Sequence, residues 1–332
     1  MKVAILGGGS WGSALSMLVS RNGHHVKLWT NEASVCENIN TTHLNPYYTG
    51  EYPFSETVTA TLELKEALSF GECIIMAVPS NAFRSVLMDV FDSLEDKDIP
   101  FLNAGKGLEA ATGLRETQII KAVAGEEFAS RAVILSGPNL AMEFVAGKPG
   151  CTVLAGTDTE RTQFFQKLLS SDILRAYTTD DVIGVEAGGS LKNILAIACG
   201  ISAGMGFGDN TRAAIQTRGL REITRLGTFL GGRRETFYGL SGMGDMITTS
   251  SSILSRNFRF GMLLADGKTP EEAGKKLGQV AEGVPTCYAA MLLSEKYGID
   301  MPITKEIYKI LKEGKDPRAA VTDLMNREQK AE

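Results

Sequence analysis

Apolar residues are spaced in two ways along this chain, and the change falls after Tyr177. Before it, short apolar runs alternate with stretches of helical spacing. Val3, Ala4, Ile5 and Leu6 form the first run; Ala14, Leu15, Leu18 and Val19 then mark one face of a helix that Asn22-Gly23 stops. Strands are expected again at His25 to Trp29, Cys73 to Val78, Ile99 to Leu102, Ala132 to Leu135 and Cys151 to Leu154. Helical spacing occupies Thr61 to Phe70 and Asn81 to Phe91. This alternation is accommodated by a largely parallel sheet with helices on its faces, and right-handed crossovers make that sheet doubly wound.

Beyond Tyr177 the strand-like alternation largely disappears. Thr178 to Asp181 offers caps and first-turn acids for a long helix from about Val182. Leu220, Ile223, Leu226 and Leu230 line a helical face that Gly231-Gly232 ends. Further helices fit Pro270 to Leu277, Pro285 to Tyr297, Pro302 to Leu311 and Arg318 to Asn326, with a frayed polar end from Arg327. The expected organisation is an α/β domain over 1–185 and an all-helical domain over 186–332. No repeat of fixed period interrupts either part.

The first strand runs straight into Gly7-x-Gly9-x-x-Gly12, with a helix after it. In a Rossmann-type unit the first glycine makes the tight turn, the second lets backbone approach a pyrophosphate, and the third lets helix and strand pack closely. The helix N-terminus supplies N–H donors for the anion. A carboxylate about 20 residues further on is expected to hold the ribose 2′-OH of NAD, yet strand two ends in Trp29-Thr30-Asn31, and Glu32 lies slightly late for that role. A 2′-phosphate meets no obvious repulsion there and no arginine grips it. NADH and NADPH are both admitted, with the balance towards NADPH.

At 332 residues and 43% hydrophobic content the chain can fill two ordinary cores, and its net charge of −5 offers no general attraction for nucleic acid or an anionic membrane. Gly7 ends the N-terminal apolar run too early for a secretory leader, so a cytoplasmic location is expected. Ala187 to Gly208 has Lys192 as its only charge and several glycines, which reads as a buried helix and turn rather than a membrane span. Cys36, Cys73, Cys151, Cys199 and Cys287 are scattered and unpaired in sequence, and predict no disulfide framework. The only histidines are His24, His25 and His43, so beyond Leu44 neither a histidine triad nor a histidine metal site can be built locally; no metal is expected.

Lys192 is the most informative single residue. An ammonium in an otherwise uncharged helix must reach water, find a carboxylate or lose part of its charge. Asp245, set among glycines and apolar residues in Gly242 to Thr249, is a plausible partner. Carbonyl reduction needs a hydride and a proton for the emerging alkoxide, and such a lysine can give that proton. The strand-end turns Val78-Pro79-Ser80, Asn103 to Gly107 and Ser136 to Asn139 line the crevice side of the sheet, where Lys106 has little nearby negative charge. Arg256-Asn257, close after Thr249 and Ser255, offers an arginine fork and short polar groups for a phosphate or carboxylate.

Taken together, the chain closely resembles the soluble bacterial type of NAD(P)-dependent glycerol-3-phosphate dehydrogenase. The resemblance rests on GGGSWG at 7–12, AVPS at 77–80, NAGKGLE at 103–109, SGPNLAMEF at 136–144, GGSLKNILAIACGI at 188–201, SGMGDMITTSSSILSRN at 241–257 and AEG at 281–283. It implies reversible reduction of dihydroxyacetone phosphate to sn-glycerol 3-phosphate, feeding glycerophospholipid synthesis, with NADPH or NADH as cofactor. It makes Lys192 the proton donor and acceptor, assisted by Asp245. Lys106, Gly137, the position of Asn139, Ser255, Arg256 and Asn257 become substrate-side residues. Ser10, Trp11, Ala141, Arg256, Val280 and Glu282 become cofactor contacts beside Gly7, Gly9, Gly12 and Lys106. Gly137 to Ala141 departs from the commoner Gly-Pro-Ser-Phe-Ala form, which touches the contacts of Asn139 and Leu140 rather than the reaction. The resemblance implies a cleft between domains that closes to exclude water, and it allows a homodimer. A lysine-using keto-acid reductase and a nucleotide sensor without turnover are the competing readings; ketopantoate turnover and a metabolite panel separate them.

Overall fold

The computed structural model describes residues 1–328, and in it the chain divides into two compact units. The first comprises Met1–Lys106 and Arg115–Glu186; the second comprises Gly107–Leu114 and the chain from Ala187 onward.

An eight-stranded sheet organises the first unit. Its strands are β1 (Lys2–Leu6), β2 (His25–Trp29), β3 (Val58–Thr61), β4 (Cys73–Met76), β5 (Phe101–Asn103), β6 (Val133–Ser136), β7 (Gly150–Ala155) and β8 (Leu174–Thr179). The spatial order is β3-β2-β1-β4-β5-β6-β7-β8. All neighbours are parallel except β6 and β7, which run antiparallel with Leu135 opposite Leu154. The sheet therefore has the doubly wound form the apolar alternation predicts, with one reversed pair added. Strands β4, β5 and β6 are buried along their whole length, as strands covered on both faces must be. Val3, Ile5, Leu15, Leu18, Leu28 and Ile75 are essentially inaccessible, and each such side chain contributes about 1.5–3 kcal/mol of burial.

The edge strands β3 and β8 escape the apolar pattern. Both are rich in threonine, and β8 alternates buried and exposed positions along LRAYTT. Thr61, where helical spacing was expected to begin, ends β3; the helix itself starts at Leu64.

The second unit is helical. Val182–Gly204 is long and apolar enough to cross a membrane, but 89% of its most apolar stretch is buried within the protein. Pro270–Leu277, Gly283–Tyr297, Pro302–Glu313 and Pro317–Met325 follow the expected helices closely, whereas Asp209–Phe229 ends where expected but begins well before the apolar face at Leu220. A π-turn at Leu240–Gly244 and helices at Asp245–Ser251 and Arg256–Ala265 were not expected. Leu108, Leu191, Leu195, Ile223, Phe237, Phe260 and Ile307 belong to one apolar cluster in this unit. The expected frayed end lies partly outside the described residues; Arg327 itself pairs with Asp300 at 3.0 Å.

Glycines let helices of this unit touch backbone to backbone. A Cβ on Gly200 would stand 2.0 Å from the carbonyl oxygen of Phe258, and one on Gly261 would stand 2.1 Å from that of Ile197. Helices Val182–Gly204 and Arg256–Ala265 therefore cross where neither bears a side chain.

Candidate active site

Two groups of predicted residues are assembled, one in each unit. In the first unit β1 delivers the chain into Gly7, whose φ of +119° is open to glycine and strained for other residues. A Cβ on Gly12 would lie 1.9 Å from the Gly7 carbonyl oxygen, so helix Ser10–Arg21 approaches the turn as closely as backbone allows. A Cβ on Gly9 would meet nothing within 4 Å. No side chain caps this helix, and no acid lies in its first turn. The indole Nε1 of Trp11 is buried with no hydrogen-bond partner. Open space at Gly9 and uncapped N–H donors at the start of this helix fit a dinucleotide pyrophosphate.

Ala141 opens a short helix, Ala141–Val145, whose Phe144 ring lies 6.1 Å from that of Trp11. At the end of β5, Asn103 accepts from the Gly105 N–H at 3.0 Å and donates to buried Glu116 at 2.5 Å, which fixes the turn leading into Lys106. Half-buried Lys106 donates to the Gly137 carbonyl at 2.8 Å. Gly137 has a φ of +141°. The Asn139 amide is engaged within the loop: it donates to the Cys151 carbonyl at 3.2 Å and accepts from Thr152 at 3.1 Å, pinning the turn to β7.

In the second unit Lys192 and Asp245 form an ion pair at 2.8 Å, their side chains 6% and 1% exposed. The path to that geometry is local. A Cβ on Gly188 would lie 2.9 Å from the Ser241 carbonyl oxygen, so helix Val182–Gly204 meets the π-turn directly. Lys192 is one helical turn beyond that contact, and Asp245 is the first residue of the helix that the π-turn feeds. Thr249, on the next turn of Asp245's helix, accepts from Lys192 Nζ at 2.5 Å and donates to Asp245 Oδ1 at 3.0 Å. Ammonium, carboxylate and hydroxyl thus form a closed, buried triangle.

Ser255 caps helix Arg256–Ala265, accepting from the Phe258 N–H at 3.3 Å. Arg256 is its first residue and is half-buried. Asn257 donates to Asn193 Oδ1 at 2.9 Å and accepts from the Gly283 N–H at 2.9 Å. This amide bridge ties the segment carrying Val280 and Glu282 to the Arg256 helix, and ties both to the neighbour of Lys192. Val280 is exposed, and Glu282 immediately precedes helix Gly283–Tyr297.

Asn193 was missed as a participant, and Thr249, expected only beside the anion-binding residues, joins Lys192 and Asp245 instead. The signal was available for Thr249, which stands at i+4 from Asp245, but only on a segment recognised as helix. Among the described residues no group of three or more His, Cys, Asp or Glu side chains gathers.

Comparison with known proteins agrees across the chain. A family model described as NAD-dependent glycerol-3-phosphate dehydrogenase N-terminus matches residues 2–162, and its C-terminus counterpart matches residues 181–322. The NAD(P)+ glycerol-3-phosphate dehydrogenase of Thermoanaerobacter sp. (strain X514) is 45% identical over 332 residues, covering 100% of this chain and 99% of that one. Its counterpart in Listeria monocytogenes serotype 4b is 42% identical over 331 residues, covering 100% and 98% respectively. The 2.1 Å crystal structure of glycerol-3-phosphate dehydrogenase from Coxiella burnetii has a TM-score of 0.93 at 37% identity, over 98% of this chain and 99% of that chain.

Proposed function

This chain belongs to the NAD-dependent glycerol-3-phosphate dehydrogenase family, and from that premise we propose that it reduces dihydroxyacetone phosphate to sn-glycerol 3-phosphate, reversibly, to supply glycerophospholipid synthesis. The protein is an NAD(P)-dependent oxidoreductase, with a nucleotide-binding Rossmann-type sheet followed by a helical domain. The observation that carries the proposed chemistry is the buried Lys192–Asp245 pair at 2.8 Å.

A bound reduced nicotinamide supplies the hydride that adds to the ketone carbon. The protein must then deliver one proton to the oxygen. Lys192 has that proton, and Asp245 and Thr249 restrict the directions in which its N–H bonds can point. In the oxidative direction Lys192 receives the hydroxyl proton as the hydride leaves. Alignment and preorganised charge provide the acceleration.

The substrate's phosphate is assigned to the N-terminus of helix Arg256–Ala265. Its N–H donors and the Arg256 fork suit a dianion, while Ser255 and Asn257 hold the backbone there in place. Lys106, Gly137 and Asn139 are assigned to substrate binding, with Lys106 also touching cofactor. Gly7, Gly9, Ser10, Trp11, Gly12, Ala141, Arg256, Val280 and Glu282 complete the proposed cofactor contacts. The five cysteines are all free thiols, which suits a reducing, cytoplasmic setting.

Initial rates with dihydroxyacetone phosphate and with ketopantoate test the assignment. Nicotinamide oxidation is expected with the first. Turnover of ketopantoate alone would replace the substrate.

A further inference from the structure

We propose that this enzyme is built to use NADH in preference to NADPH, and that Glu32, held by Tyr48, makes the selection. The proposal rests on the nucleotide-binding reading of the glycine loop and specifies which dinucleotide that loop takes. It reverses the balance suggested by the bare ending of strand two.

The argument begins with where Glu32 is held. The Gly7 N–H donates to the Trp29 carbonyl at 2.9 Å, so the end of β2 is fastened to the glycine loop. A Cβ on Gly8 would lie 2.6 Å from the Thr30 hydroxyl oxygen, which places Thr30 directly against the same loop. That hydroxyl accepts from the Glu32 N–H at 3.2 Å. A second route leads to the same carboxylate. Asn45 donates to the Gly8 carbonyl and to the Ser13 hydroxyl, both at 3.0 Å, anchoring the short turn Pro46–Thr49 to the loop. From that turn the Tyr48 hydroxyl donates to Glu32 Oε1 at 2.7 Å. Glu32 is thus fixed at its backbone by Thr30, which packs on the glycine loop, and at its carboxylate by Tyr48, whose turn Asn45 ties to that loop. Glu32 stands three residues past the end of strand two, and this tethering is what holds it back towards the place where an acid accepts the hydrogen bonds of an adenosine ribose.

Charge decides the selection. Between Leu28 and Leu64 the sequence contains no lysine or arginine, whereas Glu32, Glu37, Glu51, Glu56 and Glu63 all fall in it. Lys27, just before this stretch, is paired with Glu66 at 2.5 Å. A ribose hydroxyl can donate to a carboxylate. A 2′-phosphate carries about −1.5 to −2 charges near neutral pH, and the segment after strand two brings an oriented anion with no cation of its own.

The test compares initial rates of dihydroxyacetone phosphate reduction with NADH and NADPH, and measures binding of each nucleotide alone by titration calorimetry. The parent protein is expected to favour NADH in kcat/KM by about tenfold or more, mostly through KM, with the same order in affinity. Glu32→Gln should narrow the ratio, Glu32→Arg should invert it, and Tyr48→Phe, which leaves the acid but frees it, should fall between parent and Glu32→Gln. Equal or better use of NADPH by the parent overturns the proposal even if a variant fails to fold. An unchanged ratio in folded Glu32→Gln and Glu32→Arg overturns the role of Glu32. Tighter NADH binding without turnover of dihydroxyacetone phosphate would instead remove the substrate assignment and leave the nucleotide preference standing.

Discussion

The Thr249 hydroxyl accepts a hydrogen bond from the Lys192 ammonium at 2.5 Å. Because the same hydroxyl donates to Asp245, it fixes the rotation of the ammonium about its stem and not only its location. Thr249→Val keeps the volume and removes both bonds. Turnover should fall roughly tenfold or more, with KM for the ketone little changed, since the loss is felt when the proton moves. Thr249→Ser should retain most of the parental rate. Steady-state kinetics on the two variants check this, and equal rates for valine and serine would remove Thr249 from the proton-delivering group.

Lys192→Met should lower kcat by roughly a hundred- to ten-thousand-fold. It should also lower stability, because Asp245 is 1% exposed and would keep a charge without its counterion. Breaking such a buried pair from one side costs about 3–5 kcal/mol. Adding Asp245→Asn to Lys192→Met should recover part of the stability and none of the activity. Urea unfolding beside kinetics separates the two effects; a double variant no more stable than the single would contradict the pairing.

Gly200→Ala must force apart two helices that meet with 2.0 Å between its new Cβ and the Phe258 carbonyl oxygen. A destabilisation of about 1–3 kcal/mol or more is expected, measurable as a lower denaturation midpoint. Gly125→Ala is a different case. Its Cβ would meet nothing within 4 Å, and the cost there comes from a φ of +87° alone.

Glu222 gives stability a pH dependence. Its carboxylate accepts from the Ile303 N–H at 2.7 Å and from the Thr304 N–H and hydroxyl, each at 3.2 Å, at the start of helix Pro302–Glu313. Burial outweighs these bonds and pushes its pKa from 4.5 up to about 7. The folded state therefore holds this proton more tightly than the unfolded chain. The group's contribution to stability is fully present below about pH 4.5 and is lost as pH rises through about 7, by about 3 kcal/mol in all. Glu222→Gln abolishes that slope whatever its constant cost. The stability difference between the glutamine variant and the parent should move in the variant's favour between pH 4.5 and 7 and level off above. A difference that stays flat across this window in chemical denaturation would show that Glu222 ionises freely in the fold.

Legibility in the sequence followed how strongly each segment's own residues specified its state. Strands β1, β4, β5, β6 and β7 were readable because, apart from the end residues Lys2 and Asn103, every position along them is apolar or small. Edge strands β3 and β8 were not, since half-solvated strands built on threonine resemble loops as readily as strands. Helix Pro270–Leu277 was found with its ends, having a Thr269 cap, a proline at its start and a glycine after it. The segment Leu240–Ser251 was not, because glycine, serine and threonine disfavour helix and tertiary packing, including that against Gly188 and Phe237, overrides their propensity. Lys192 stood out as a charge in an apolar helix, and Asp245 as an acid surrounded by glycines and apolar residues. Thr249 and Asn193 carried no such contrast.

At Gly188 the missing side chain has a further consequence. The spacing between Lys192 and Asp245 is set one helical turn away, by two main chains in contact, so a single added methyl there would reset the site without altering any group that performs chemistry. Such a substitution would imitate the loss of an acid or base in rate measurements while every reactive atom remained present. An inactive natural variant can therefore keep its whole reactive inventory and still be silent for want of a fraction of an ångström.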